Sequence, residues 1–224
     1  MTALITNVAI QKTTFKYEIP YMLLITAVLL VMGMTGNEIT FIEGVILWIL
    51  FIAYLLYLYF LAKKGNDSGD EQSVKLYPVW KCLLFIVLGG VCVVIGSQLV
   101  VNGATTIARA CGMSERFIGL TIVAFGTSLP ELVTSVSAAR KGNAGIAIGN
   151  IVGSNIFNIL FVIGTVALIC PVPFESRFVI DTVVAILCGV LLWGGTIRHK
   201  ELRKPCGVVM LLCYAAYFVY LAAM

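Results

Sequence analysis

Between Phe117 and Ala139 the only acid is Glu131. A stretch of this length and apolarity is long enough to cross a bilayer. Glu131 stands about 5 Å past its midpoint, at about 1.5 Å of rise per residue. A carboxylate at that depth costs about 3 kcal/mol on insertion scales, so it marks an ion or proton path before anything else. Thr127 and Ser128 precede it by four and three residues, which in a helix places two hydroxyls and the carboxylate on one face. Pro130 has no N–H for the Gly126 carbonyl and disfavours helix at Leu129, so backbone oxygens in the preceding turn lose their partners. Broken backbone at this depth is tolerated where it lines a cavity, and in transporters such breaks coordinate ions near the midplane.

The following apolar stretch carries Asn150, Ser154 and Asn158 at steps of four, beside Gly145, Gly149 and Gly153 at the same spacing. Small residues in that pattern let a neighbouring helix approach backbone to backbone. The short connection Lys141 to Asn143 makes the two stretches antiparallel neighbours, so Ser154 and Asn158 are expected to share a pocket with Thr127, Ser128 and Glu131. Every donor is oxygen, which suits hard cations such as sodium or calcium rather than zinc or copper. Gln98 and Asn102 form another polar pair four residues apart, read equally as an approach path or as helix packing. Hydrolysis is not expected, because Ser128 has no His or Lys at helical spacing to activate it.

Elements able to hold such a pocket must be membrane helices. The chain is 60% hydrophobic and 12% charged, with a mean hydropathy of +1.03, against about a quarter charged residues in an ordinary soluble domain. Spans of about 20 apolar residues fall at 18–36, 40–62, 79–106, 117–139, 144–169, 178–197 and 205–224. The fold class is therefore all-α, a polytopic helical membrane protein with seven transmembrane helices. One side collects Lys12, Lys16, Lys63, Lys64, Lys75, Lys81, Arg140, Lys141, Arg198, Lys200, Arg203 and Lys204, the other only Arg109, Arg116 and Arg177. Basic residues near span ends stay mostly cytoplasmic, so the N-terminus is expected inside and the C-terminus outside. The net charge of +4 records this asymmetry; no nucleic-acid partner is expected, and lipid surrounds the chain.

The polar run Lys63 to Lys75 reads as a solvated cytoplasmic linker, its acids Asp67, Asp70 and Glu71 lacking the converging oxygens and fixed turn of a calcium loop. The seven cysteines read as small apolar packing residues and His199 as an interfacial residue. Met1 to Ile10 has no signal-peptide pattern. At an offset of 163 the chain matches itself: Gly44 and Val45 meet Gly207 and Val208, Ala53 and Tyr54 meet Ala216 and Tyr217, Tyr57 and Leu58 meet Tyr220 and Leu221, and Glu18 meets Asp181. The charge map runs the two copies in opposite directions, the signature of an inverted repeat. On the same offset Met1 falls on Gly164, so the chain is expected to begin inside an element, with the partners of 65–163 lying before Met1.

The runs GTSLPE at 126–131 and GNIVGSNIFNI at 149–159 resemble an alpha-repeat of the calcium/cation antiporter superfamily, and in particular the bacterial sodium/calcium exchangers with their potassium-dependent-type relatives. The resemblance covers essentially the whole chain. It implies a ten-helix fold of two inverted five-helix repeats, with residues 1–62 as the last two helices of the first repeat, 63–77 as linker and 78–224 as the second repeat, whose ion-binding alpha-repeat is 117–169. It implies metal ligands at the carbonyl of Ala124 and at Thr127, Ser128, Glu131, Ser154 and Asn158, where the proline argument alone points to Gly126. It also implies exchange of calcium for sodium by alternating access at a bacterial inner membrane, with no cofactor beyond the transported ions. Some relatives place Asp where this chain has Asn158, which speaks against potassium coupling. No second GTSLPE-like run precedes residue 100, so the chain is expected to be a truncated form holding half an ion site, completed by the first repeat as a separate chain. Other readings of the same fold are a non-transporting membrane subunit, a proton/cation exchanger and a dual-topology dimer, the last opposed by the twelve-to-three charge bias.

Overall fold

The computed structural model describes residues 2–5, 7–65, 78–113, 115–197 and 200–223. The linker beyond Gly65 and His199, both singled out above, lie outside them. In chain order the helices are α1 (Thr2–Ile5), α2 (Ile19–Gly36), α3 (Phe41–Gly65), α4 (Val79–Ala110), α5 (Glu115–Ile118), α6 (Ala124–Thr127), α7 (Leu129–Arg140), α8 (Ala144–Phe157), α9 (Gly164–Ile169), α10 (Ser176–Ile197) and α11 (Lys204–Ala223). Three wider π-type segments, Thr14–Glu18, Gly119–Val123 and Asn158–Ile163, lead into α2, α6 and α9. Six helices among the described residues are long and apolar enough to span a membrane. The pair Thr121–Thr127 and Leu129–Arg140, bent by 45°, makes a seventh if taken as one broken span.

Helix is imposed by the solvent. With no water to bond N–H and C=O groups, each apolar stretch must satisfy its backbone internally. The ends are set by local chemistry. Pro20 sits in the first turn of α2 and Asn37 closes the helix in the left-handed region (φ 56°), as a polar C-terminal cap can. Gly142 (φ +82°) closes α7 in the same way: its N–H reaches Ala139 O at 3.1 Å, and Asn143 N–H reaches Ala138 O at 2.9 Å.

The chain divides into two compact units, 1–67 with 134–217, and 68–133 with 218–224. In the first unit α2 packs on α10, and α3 on α9. Ile19, Ile25, Leu47, Val152, Ile156 and Leu160 form its fully buried centre. Trp48 and Phe51 of α3 meet Phe161 at a tilt, Phe51 meets Phe157 edge-on, and Trp48 Nε1 donates to Thr165 Oγ1 at 3.2 Å. In the second unit α4 packs against α5, the π-type segment and α6.

Four two-residue strands, absent from the sequence reading because two residues show no periodicity, close the first unit. Strand β1 (Val8–Ala9) pairs antiparallel with β4 (Glu201–Leu202), and β2 (Glu38–Ile39) with β3 (Val172–Pro173). The start of α2 is thereby fastened to the end of α10 and its end to the start of α10, so the two helices run in opposite directions. Glu38 and Ile39 stand 163 positions before Glu201 and Leu202, the offset of the sequence repeat.

Candidate cation site

The broken span shows what Pro130 does. Without a Pro130 N–H the Gly126 carbonyl has no helical donor, and the Ser97 hydroxyl on α4 takes that place, donating to Gly126 O at 2.7 Å. One turn further along α4, Val101 lies against Gly126 so closely that a Cβ there would collide with it. Ser128 N–H, which in a continuous helix would donate to Ala124 O, is turned to Phe125 O at 3.1 Å. Helix resumes when Leu132 N–H reaches Ser128 O at 3.0 Å. Within about two turns of Glu131, therefore, the Gly126 carbonyl accepts from a side chain and the Ser128 N–H is turned away from the Ala124 carbonyl.

Ala124, Thr127, Ser128 and Glu131 all belong to this break. Thr127 and Ser128 are exposed, while Glu131 is half-buried with its Oε2 enclosed. Ser154 and Asn158 lie on the other compact unit. The half-buried Ser154 hydroxyl donates to Ile151 O at 3.1 Å, which spends its proton inside the helix and leaves its lone pairs for a cation. Asn158 is exposed and opens the π-type segment after α8, a kind of irregularity that recurs at functional positions.

Two features beside Ser154 and Asn158, the Asn150 side chain and the glycine stripe, have contacts of their own. Asn150 is a fastener between helices: its Nδ2 donates to Thr134 Oγ1 at 2.9 Å and Ser135 Oγ at 3.1 Å, and the buried Ser135 reaches back to Ala147 O at 3.3 Å. Along the glycine stripe, a Cβ at Gly149 or Gly153 would meet no atom of the described residues within 4 Å, and Gly145 is approached by Gln11. Helices α7 and α8 are held by polar side chains. Ser97 escaped the sequence reading, being a single hydroxyl among apolar residues, whereas the more conspicuous Gln98 and Asn102 are exposed. Asn102 contributes its backbone oxygen to the Thr105 and Thr106 hydroxyls at 3.0 and 2.8 Å.

Among the described residues no three His, Cys, Asp or Glu side chains cluster. The candidate donors are one carboxylate with hydroxyl, amide and backbone oxygens, a set suited to hard cations. Outside the spans, Arg109 of α4 bonds both Glu115 oxygens, at 2.6 and 2.9 Å, on the exposed turn before α5. Its guanidinium holds the Glu115 carboxyl below the usual carboxylate range.

Comparison with known proteins is consistent with this chemistry. The chain is similar to the sodium/calcium exchanger MaX1 of Methanosarcina acetivorans, 38% identical over 63% of this chain and 41% of that protein. It is similar to the inner membrane protein YrbG of Escherichia coli K12, 30% identical over 94% of this chain and 67% of that one. A solved structure of the sodium-calcium exchanger NCX_Mj soaked with sodium and strontium superposes with a TM-score of 0.78 at 30% identity, covering 97% of this chain and 69% of that one. The sodium/calcium exchanger protein family matches residues 81–223, which include the broken span, the Ser154 and Asn158 helix and Ser97, and the chain belongs to that family.

Proposed function

We propose that this protein is the membrane region of a sodium/calcium antiporter and that it contributes as ion ligands the Ala124 carbonyl, Thr127, Ser128 and Glu131 from one unit and Ser154 and Asn158 from the other. The observation that carries this reading is the coincidence, within about two turns, of the Glu131 carboxylate and a proline break in which the Ser128 N–H is turned from Ala124 O to Phe125 O. Glu131 supplies part of the charge that calcium requires, and the hydroxyls and carbonyl replace part of its hydration shell, since calcium takes six to eight oxygens. Sodium accepts the same hard donors, so the two ions compete for one set of ligands. Competition of this kind, with the site open to one side at a time, is the physical basis of exchange. Residues 78–224 then form one repeat and 1–62 two helices of its inverted partner, a reading supported by the opposed directions of α2 and α10 and by the 163-residue spacing of β2 and β4. The N-terminus is cytoplasmic and the membrane a plasma membrane, supported by the one-sided distribution of Lys and Arg. Potassium is not coupled, because Asn158 is neutral.

The test is sodium-gradient-driven radiocalcium uptake into membrane vesicles carrying the protein, compared with the Glu131→Gln variant. Uptake by wild type and its loss by at least about a hundredfold in the variant is the expected result, since a carboxylate-to-metal contact is removed outright. Uptake that persists in Glu131→Gln overturns the site.

A further inference from the structure

We infer that Ser97 is a positioning residue for the ion site: its hydroxyl decides which carbonyl of the broken span is free to face a cation. The inference rests on the antiporter reading above and goes one step inward from it.

Pro130 has no N–H for Gly126 O, and the Ser128 N–H is turned from Ala124 O towards Phe125 O and Gly126 O, so the break disturbs the helical donors of two carbonyls two residues apart. A half-buried carbonyl left without a donor turns towards water or towards any cation within reach. Ser97 removes this ambiguity by bonding Gly126 O at 2.7 Å. Val101, four residues on and hence on the same face of α4, presses against the Gly126 α-carbon, which tolerates the approach only because it carries no Cβ. One polar and one steric contact thus seat α4 on the break, and both act on the residue that precedes Thr127. The serine fixes the carbonyl direction, and the valine fixes the distance.

Removing the hydroxyl leaves Gly126 O competing with Ala124 O and lets the Thr127 and Ser128 backbone relax from its set geometry. A ligand shell held less well before the ion arrives binds it more weakly, because the ordering is then done at binding. Ser97→Ala is therefore expected to raise the KM for calcium about five- to tenfold, the equivalent of one hydrogen bond, with maximal rate changed less than twofold. Ser97→Thr, which keeps the hydroxyl, is expected to restore KM to within about twofold of wild type, because the donor and its reach are retained. On the steric side, Gly126→Ala is expected to raise KM as well, and the double variant Gly126→Ala with Val101→Ala to recover most of the loss, since the second change makes room for the first.

The experiment is sodium-driven radiocalcium uptake into vesicles at varied calcium, normalised to the amount of folded protein by size-exclusion profile, with Glu131→Gln as control. A raised KM in Ser97→Ala that Thr rescues supports the assignment. A Ser97→Ala protein that is only less abundant, with KM unchanged while Glu131→Gln is dead, shows a merely structural serine and overturns it. A Glu131→Gln protein that still transports removes the ion site itself and this inference with it.

Discussion

Asn150 separates a fastener from a ligand. Replacing it with Ala removes the bonds from its Nδ2 to Thr134 Oγ1 and Ser135 Oγ. Hydrogen bonds between membrane helices contribute about 0.6 kcal/mol on average and up to about 1.7, so losing two predicts destabilisation of about 1–2 kcal/mol. Ser135 keeps its own bond to Ala147 O, so the full penalty for a stranded buried hydroxyl is not incurred. The assay is thermal unfolding of the purified protein in detergent, where about 1–2 kcal/mol lowers Tm by roughly 2–8 °C in a chain of this length. Calcium-dependent stabilisation of the same samples gives the second readout. Because Asn150 binds helix α7 and not the ion, the Tm shift without calcium should appear in full while the calcium increment stays within about twofold in apparent affinity, less than 0.5 kcal/mol. An Asn150→Ala protein with unchanged Tm but a tenfold weaker calcium response would refute the fastener and point to Asn150 as an ion ligand.

Two further outcomes are expected. Asn158→Asp adds a second carboxylate to the donor set, and since ligand charge count tunes calcium affinity, apparent calcium affinity in a stabilisation titration should rise about tenfold; an unchanged or weakened response would remove Asn158 from the site. Glu115 should titrate below the ordinary carboxylate range because the Arg109 guanidinium bonds it. A carboxyl lowered in the folded state contributes stability above its unfolded value and loses it as the pH falls through the folded one. The contribution is small and salt-sensitive, since both groups are exposed. A carboxyl-detected NMR titration, repeated on Arg109→Gln, should show the Glu115 midpoint moving up, and no movement would refute the pairing.

The span count and the location of the break were legible in the residues for a common reason: the bilayer forces each segment to satisfy its own backbone, so apolar length and a proline suffice to place helix and interruption. The spans at 79–106 and 178–197 read as helices from hydropathy alone, and Pro130 placed an interruption in the turn before it, where the bend falls between Thr127 and Leu129. The four two-residue strands were not legible, because each partner lies far along the chain and a dipeptide carries no pattern. The same holds within the site. Glu131 and its hydroxyls announce themselves because an acid at membrane depth is costly wherever its neighbours lie. The partners of Asn150 and the Ser97 donor to Gly126 are choices among equivalent hydroxyls, made by which helix packs where. The sequence by itself determined which span breaks, that the proline leaves Gly126 O without its helical donor, and which acid follows the break, since these follow from bonds between residues four apart. Only the tertiary structure decided that Ser97 takes the Gly126 oxygen and that Asn150 ties α8 to α7. A free carbonyl accepts from any donor that packing brings within 3 Å, and nothing local chooses among them.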